Sequence, residues 1–112
     1  WGNYVILKKE ANYLVKRIEV LPGESLSLQS HNHRSEHWTI VAGTALVQIN
    51  ESSKTLQANQ FIEIPKGAKH RLANHGNSSL IIIEVQLGEK LDENDITRYA
   101  DKYGRTSEDK DN

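Results

Sequence analysis

A chain of 112 residues is long enough for one core and too short for a second catalytic domain. With 37% hydrophobic and 26% charged residues it is globular rather than disordered, and a net charge of -1 excludes the strong field that gathers nucleic acid or an anionic membrane surface. Cysteine is absent, which excludes disulfides, thiolate zinc sites and cysteine nucleophiles.

Short β-rich runs separated by turn residues fill most of the chain. Tyr4 to Lys8 and Tyr13 to Val20 read as the first strands, and Leu21-Pro22-Gly23-Glu24 as a turn. Leu26 to His31 follows, with Leu26 and Leu28 on one face and Ser27, Gln29 and His31 on the other. Trp38 to Ala42 and Thr44 to Ile49 flank a tight hairpin at Gly43. Asn50 to Ser53 is a polar turn, and Lys54 to Gln57 pairs back. Phe61 to Ile64 stops at Pro65, which cannot donate to a ladder, and Gly67 closes that turn. His70 to Asn74 is another strand. The long apolar run Ser79 to Leu87 is expected to be buried on both faces.

After Gly88 the pattern changes. Asp92 reads as a helix cap, and Ile96, Tyr99 and Tyr103 recur at helical spacing, which predicts a short C-terminal helix before a polar tail over 106–112. About nine strands with regular turns make a β-sandwich or barrel, and periodicity alone does not choose between them. No apolar run is long enough to span a bilayer and no signal peptide is visible, so a cytoplasmic location is expected. The chain opens on Trp1 without a methionine, as a segment trimmed or cut from a longer protein would.

The histidines are clustered: His31, His33 and His37 surround Glu36, and His70 lies near His75. Gln29 and His31, two apart on a strand, point to one side; Glu36 can fold back onto that side, and His70 opens a different strand. A lone histidine is usually a surface or hydrogen-bonding residue, but this convergence makes Gln29, His31, Glu36 and His70 a candidate metal-binding set. Imidazole, carboxylate and amide oxygen suit zinc, manganese, iron or cobalt. Without cysteine, such a site in a barrel mouth is the kind that keeps a position open for water or substrate. His33 and His75 read as solvated, and Lys8, Lys9, Lys16 and Arg17 as a solvated strand face.

The stretch Gly23 to Gly43 resembles the first cupin motif, with Gly23, His31, Glu36 and Gly43 at the required offsets and Gln29 replacing the first histidine. The stretch Asn59 to Asn74 resembles the second, through Pro65, Gly67, His70 and Asn74, with Asn59 where glycine is usual. Cupins are double-sheet jelly rolls, so the resemblance implies an all-β cupin domain over residues 1–105. The glutamine, histidine, glutamate and later histidine resemble the ligands of zinc-dependent phosphomannose isomerases. Trp1-Gly2-Asn3-Tyr4, Leu28 through Trp38, Ile83-Glu84-Val85-Gln86 and Tyr103-Gly104-Arg105 look like landmarks of the C-terminal cupin domain of bifunctional mannose-1-phosphate guanylyltransferase/mannose-6-phosphate isomerases.

That resemblance implies interconversion of mannose 6-phosphate and fructose 6-phosphate for GDP-mannose and polysaccharide precursor synthesis. It implies one divalent metal, zinc first, with manganese, cobalt, iron or nickel as alternatives. It also implies a small sugar-phosphate substrate and an N-terminal nucleotidyltransferase domain outside this chain. Proton transfer between C1 and C2 needs a base, for which His37 and Glu84 are candidates, although strict alternation points His37 outward unless the strand begins there. Arg34, beside the metal motif, is the first candidate for the phosphate, ahead of Lys16, Arg17, Lys69 and Arg71. Sheet-edge pairing makes a homodimer the expected assembly. The alternative is a non-catalytic metal-binding cupin that recognises a sugar phosphate or regulates a partner domain.

Overall fold

A computed structural model describes residues 1–100. Ten strands lie within them: β1 (Gly2–Lys9), β2 (Tyr13–Val20), β3 (Leu28–Ser30), β4 (Ser35–Ala42), β5 (Thr44–Ile49), β6 (Ser52–Gln57), β7 (Phe61–Ile64), β8 (His70–Ala73), β9 (Leu80–Leu87) and β10 (Thr97–Ala100). They form two five-stranded sheets, ordered β1-β2-β9-β4-β7 and β10-β3-β8-β5-β6. All pairings are antiparallel. The chain changes sheet at each step from β2 to β5 and again at each step from β6 to β10, so the two sheets close over one core in a jelly roll.

Two turn positions explain residues of the cupin-like motifs. Gly43 between β4 and β5 has φ +86, and a Cβ there would lie 2.8 Å from the Ser79 carbonyl oxygen. Asn59, where the motif usually has glycine, adopts φ 75, a conformation asparagine tolerates better than most residues.

Period-2 alternation builds the core. Ile18, Val20, Trp38, Ile40, Val47, Ile64, Leu72, Leu80 and Ile82 point inward and are buried. Along each of three strands the inner face then changes character. On β9 the buried series runs Leu80, Ile82, Glu84, Gln86; on β4 it runs Ile40, Trp38, Glu36; on β8 it runs Leu72, His70. Register aligns the changes, because Ile40 pairs with Ile82, Trp38 with Glu84 and Glu36 with Gln86. One end of the barrel is therefore apolar and the other collects its inward polar side chains.

Three local expectations are corrected. The segment after Gly88 forms no helix within the described residues. Asp92 accepts the Asn94 N–H at 2.8 Å through its side chain and the Asp95 N–H at 3.0 Å through its carbonyl, so the expected cap makes a turn. The edge of β3 then recruits Thr97 and Arg98 opposite Ser30 and Gln29, and Tyr99 Oη lies 2.9 Å from Ser30 Oγ. Tyr103 and the 106–112 tail lie outside the described residues. β9 is buried on its inner face only, because the outer residues Ile81, Ile83 and Val85 are half-buried. β3 spans three residues rather than six, and His31 sits just past its end.

Candidate metal centre

His31, Glu36 and His70 arrive from three places, the end of β3, the inner face of β4 and the start of β8, and all three are 3% exposed. Their donor atoms all lie within 4.8 Å of one another. Glu36 Oε2 is 3.0 Å from His31 Nε2, and Glu36 Oε1 is 4.0 Å from His70 Nε2.

Both imidazoles are oriented by backbone carbonyls. His31 Nδ1 lies 2.7 Å from the Asp95 carbonyl oxygen, and His70 Nδ1 lies 3.1 Å from that of Ala68. A carbonyl can only accept, so each Nδ1 carries a proton, and Nε2 is the ring atom each histidine directs at Glu36, free to ligate a metal when the ring is neutral. The Asp95 carboxylate accepts the backbone N–H groups of Asn32 at 2.8 Å and His33 at 2.9 Å, which ties the loop after His31 to the segment leading into β10.

Gln29 stands opposite His70 in register, on the same face of the sheet. Its amide nitrogen donates to Ser27 Oγ at 3.2 Å, which leaves the amide oxygen as the group able to face a cation. Two Nε2 lone pairs, a carboxylate and this nearby amide oxygen fit the nitrogen-and-oxygen donor set of a borderline divalent metal.

Arg34 is 9% exposed and packs against the cluster, not at an outer rim. Its Nη2 donates to Glu36 Oε2 at 2.9 Å and to His31 Nε2 at 3.2 Å, and its Nε donates to Glu36 Oε2 at 3.0 Å. Trp38 Nε1 donates to Glu36 Oε1 at 2.9 Å and to Glu84 Oε1 at 3.0 Å, while Gln86 Nε2 donates to Glu84 Oε2 at 2.9 Å.

These surroundings set the two carboxyls apart. Burial alone would raise the pKa of Glu36, but its hydrogen bonds with His31 and Glu84 and the charges of the histidines outweigh burial and hold it well below the ordinary carboxylate value. Burial first, and the negative charge of Glu36 second, push Glu84 well above that value. Burial lowers His70 against the opposing pull of Glu36, favouring the neutral imidazole that a metal requires.

The cluster opens into a cavity of about 480 Å³ whose walls include Lys16, Gln29, Arg34, Glu36, His70 and Glu84. His37 is not brought there: alternation turns it to the outer face of β4, where its ring stacks on Phe61 at 5.5 Å. His33 and His75 are exposed. Arg17 lies 3.6 Å from Glu19, and the Lys69 ammonium sits 4.2 Å from the Tyr99 ring centroid. Sequence reasoning missed Asp95, which no local pattern marks. It also missed the inward direction of Lys16, which the alternation Leu14, Lys16, Ile18 does mark.

Residues 1–101 match the family described as mannose-6-phosphate isomerase C-terminal. The chain is 51% identical over 105 residues to mannose-1-phosphate guanylyltransferase ManC of Salmonella typhimurium, covering 94% of this chain and 22% of that protein. It is 49% identical over 108 residues to alginate biosynthesis protein AlgA of Pseudomonas aeruginosa, covering 96% and 22%. It is 50% identical over 106 residues to xanthan biosynthesis protein XanB of Xanthomonas campestris, covering 95% and 23%. The chain thus spans under a quarter of the length of these relatives.

Among solved structures, a Klebsiella pneumoniae protein with a double-stranded β-helix domain superposes with TM-score 0.78 at 19% identity, over 90% of this chain and 85% of that one. A cupin 2 conserved barrel protein from Salinispora arenicola gives 0.69 at 20% identity, over 77% and 75%. The fold is that of a cupin.

Proposed function

The chain belongs to the mannose-6-phosphate isomerase C-terminal family, and on that premise we propose that it is a metal-dependent isomerase interconverting mannose 6-phosphate and fructose 6-phosphate. The observation that carries this reading is the convergence of His31 Nε2, His70 Nε2 and the Glu36 carboxylate beside a cavity that Glu36 and His70 line. His31, Glu36, His70 and Gln29 would hold the metal, zinc first and manganese, cobalt, iron or nickel otherwise. When bound, it would supply Lewis acidity to the oxygens on C1 and C2 of the open-chain sugar.

The protein's own groups would do the rest. The carbonyls of Asp95 and Ala68 keep both Nε2 atoms aimed at the centre. Trp38 fixes the Glu36 and Glu84 carboxyls with a single N–H. Arg34 balances the charge of Glu36 and would stand beside the reacting end of the sugar. Glu84 lines the cavity outside the ligand set, which makes it our candidate for moving the proton between C1 and C2. His37, on the outer face, has no part in this scheme.

As part of the same proposal, the chain serves GDP-mannose and polysaccharide precursor synthesis beside an N-terminal nucleotidyltransferase region, and it pairs with a second copy. Such a longer protein would be consistent with the share of ManC, AlgA and XanB that the chain covers.

The test is a coupled assay of the purified chain with mannose 6-phosphate, run after chelation and again after zinc is restored, with metal content measured. Turnover that disappears with chelator and returns with metal is expected. A fully loaded chain that binds mannose 6-phosphate without turning it over would sink the isomerase reading and leave a sugar-phosphate-binding cupin.

A further inference from the structure

The inner face of β2 reads Leu14, Lys16, Ile18, Val20, and the three apolar members are 3%, 5% and 0% exposed. Alternation therefore turns Lys16 into the barrel, at a position where its neighbours in phase are all hydrophobic. Register places it opposite Glu84 of β9 on one side and Ile6 of β1 on the other. It lines the same cavity as the histidine–glutamate cluster. Among the described residues Lys16 forms no ion pair, and its ammonium rests 4.4 Å from the Tyr4 ring centroid. Its charge acts on Glu84 from beyond ion-pair distance, and an inward lysine placed so favours an anion that meets it in the cavity.

The opposite sheet supplies a second cation. Arg98 of β10 is in register with Gln29, and Gln29 with His70, so all three share the inner face, and Arg98 also lines the cavity. Strands are about 4.8 Å apart, so Lys16 stems from a strand roughly 10 Å across its sheet from β4, which carries Glu36, while Arg98 stems from the strand beside β3 and roughly 10 Å from β8, which carries His70. A six-carbon sugar with its carbonyl end at the cluster reaches over that span. Arg34 is less suited to a distant anion, because its Nε and Nη2 are committed to Glu36 and His31.

We propose that Lys16 is the phosphate-binding, specificity-determining residue of the site, with Arg98 as the second cation on the facing wall. This rests on the sugar-phosphate reading of the cavity and extends it by placing the phosphate on the barrel wall, away from Arg34.

The experiment compares the metal-loaded chain with Lys16→Met, Lys16→Gln and Lys16→Arg. Steady-state kinetics with mannose 6-phosphate are paired with calorimetric titration of mannose 6-phosphate and of inorganic phosphate. Metal content and melting temperature are the controls for folding. With the charge removed, KM is expected to rise about 30-fold, the worth of one charged hydrogen bond, with kcat within about threefold. The dissociation constants of both phosphate compounds should rise in parallel, and Lys16→Arg should restore most of the affinity.

Unchanged phosphate affinity in folded, metal-loaded Lys16→Met or Lys16→Gln overturns the proposal, and so does a fall in kcat at constant KM. The two readings separate cleanly. Lys16-dependent phosphate binding without turnover keeps this inference and removes the isomerase, whereas normal turnover indifferent to Lys16 does the reverse.

Discussion

Glu36 and Glu84, on the adjacent strands β4 and β9, meet at one donor, the indole N–H of Trp38, at 2.9 Å and 3.0 Å. The two carboxyls nevertheless titrate in opposite directions. Glu36 faces two imidazoles and a guanidinium and is shifted down, while Glu84, buried and beside the charge of Glu36, is shifted up. Two chemically identical groups are thereby given different affinities for a proton, the pattern expected where one grips a cation and the other exchanges a proton.

Trp38→Phe keeps most of the ring packing and removes that donor. It should cost about 2–3 kcal/mol of stability, because two buried acceptors lose their partner. Metal affinity should fall about tenfold, as when an outer hydrogen bond to a ligand is lost. Denaturant unfolding and metal titration read the two effects, and a variant matching the parent in both would mean that the shared N–H does not matter.

Glu84→Gln preserves size and hydrogen-bonding reach at a carboxyl whose burial disfavours its charged form. Stability should change by no more than about 1 kcal/mol, while kcat should fall about 100-fold if the group transfers the proton. An unaltered kcat in the isomerase assay would remove Glu84 from the chemistry.

Asp95→Ala deletes the acceptor of the Asn32 and His33 N–H groups. A loss of about 1–2 kcal/mol is expected at neutral pH. Partial burial would raise the Asp95 pKa, but these two N–H groups outweigh burial and lower it below the ordinary 3.8. A depressed folded pKa means that the stabilisation is present above 3.8 and is lost as pH falls through the lower folded value. The gap between parent and variant should therefore be constant above pH 5 and narrow only below about 3.8. Thermal melts across acid pH measure it, and a gap that widens on acidification would contradict this reading.

Gly43→Ala places a methyl in the left-handed region and 2.8 Å from the Ser79 carbonyl oxygen. It should destabilise the fold by about 1–3 kcal/mol. Gly43 lies at the opposite end of β4 from Glu36, so metal stoichiometry should not change. A loss of metal from the folded variant would show that the two ends of β4 are coupled.

Much of this was legible in the sequence. Alternating strands, the turn at Gly43 and the grouping of His31, Glu36 and His70 follow from spacing, because a strand has only two faces. Lys16 was legible too, but beside Lys8, Lys9 and Arg17 it read as one of a solvated series. The phase it shares with Leu14 and Ile18 is the stronger signal. The segment at Ile96 and Tyr99 was not decidable locally. Its apolar spacing suits a helix, and only the unpaired edge of β3, distant in sequence, makes it a strand. Asp95 was invisible for the same reason, since the loop it holds lies more than 60 residues upstream.

The contact between His31 and the Asp95 carbonyl has a consequence for how the protein matures during synthesis. A nascent chain extended to residue 90 already contains His31, Glu36 and His70 but lacks the carbonyl that turns the first of them. The centre is assembled only once the segment from Asp95 through β10 has left the ribosome and closed along β3. Capture of the metal would then wait on synthesis of that segment, and a product terminated before Asp95 would carry the donors yet hold the ion poorly.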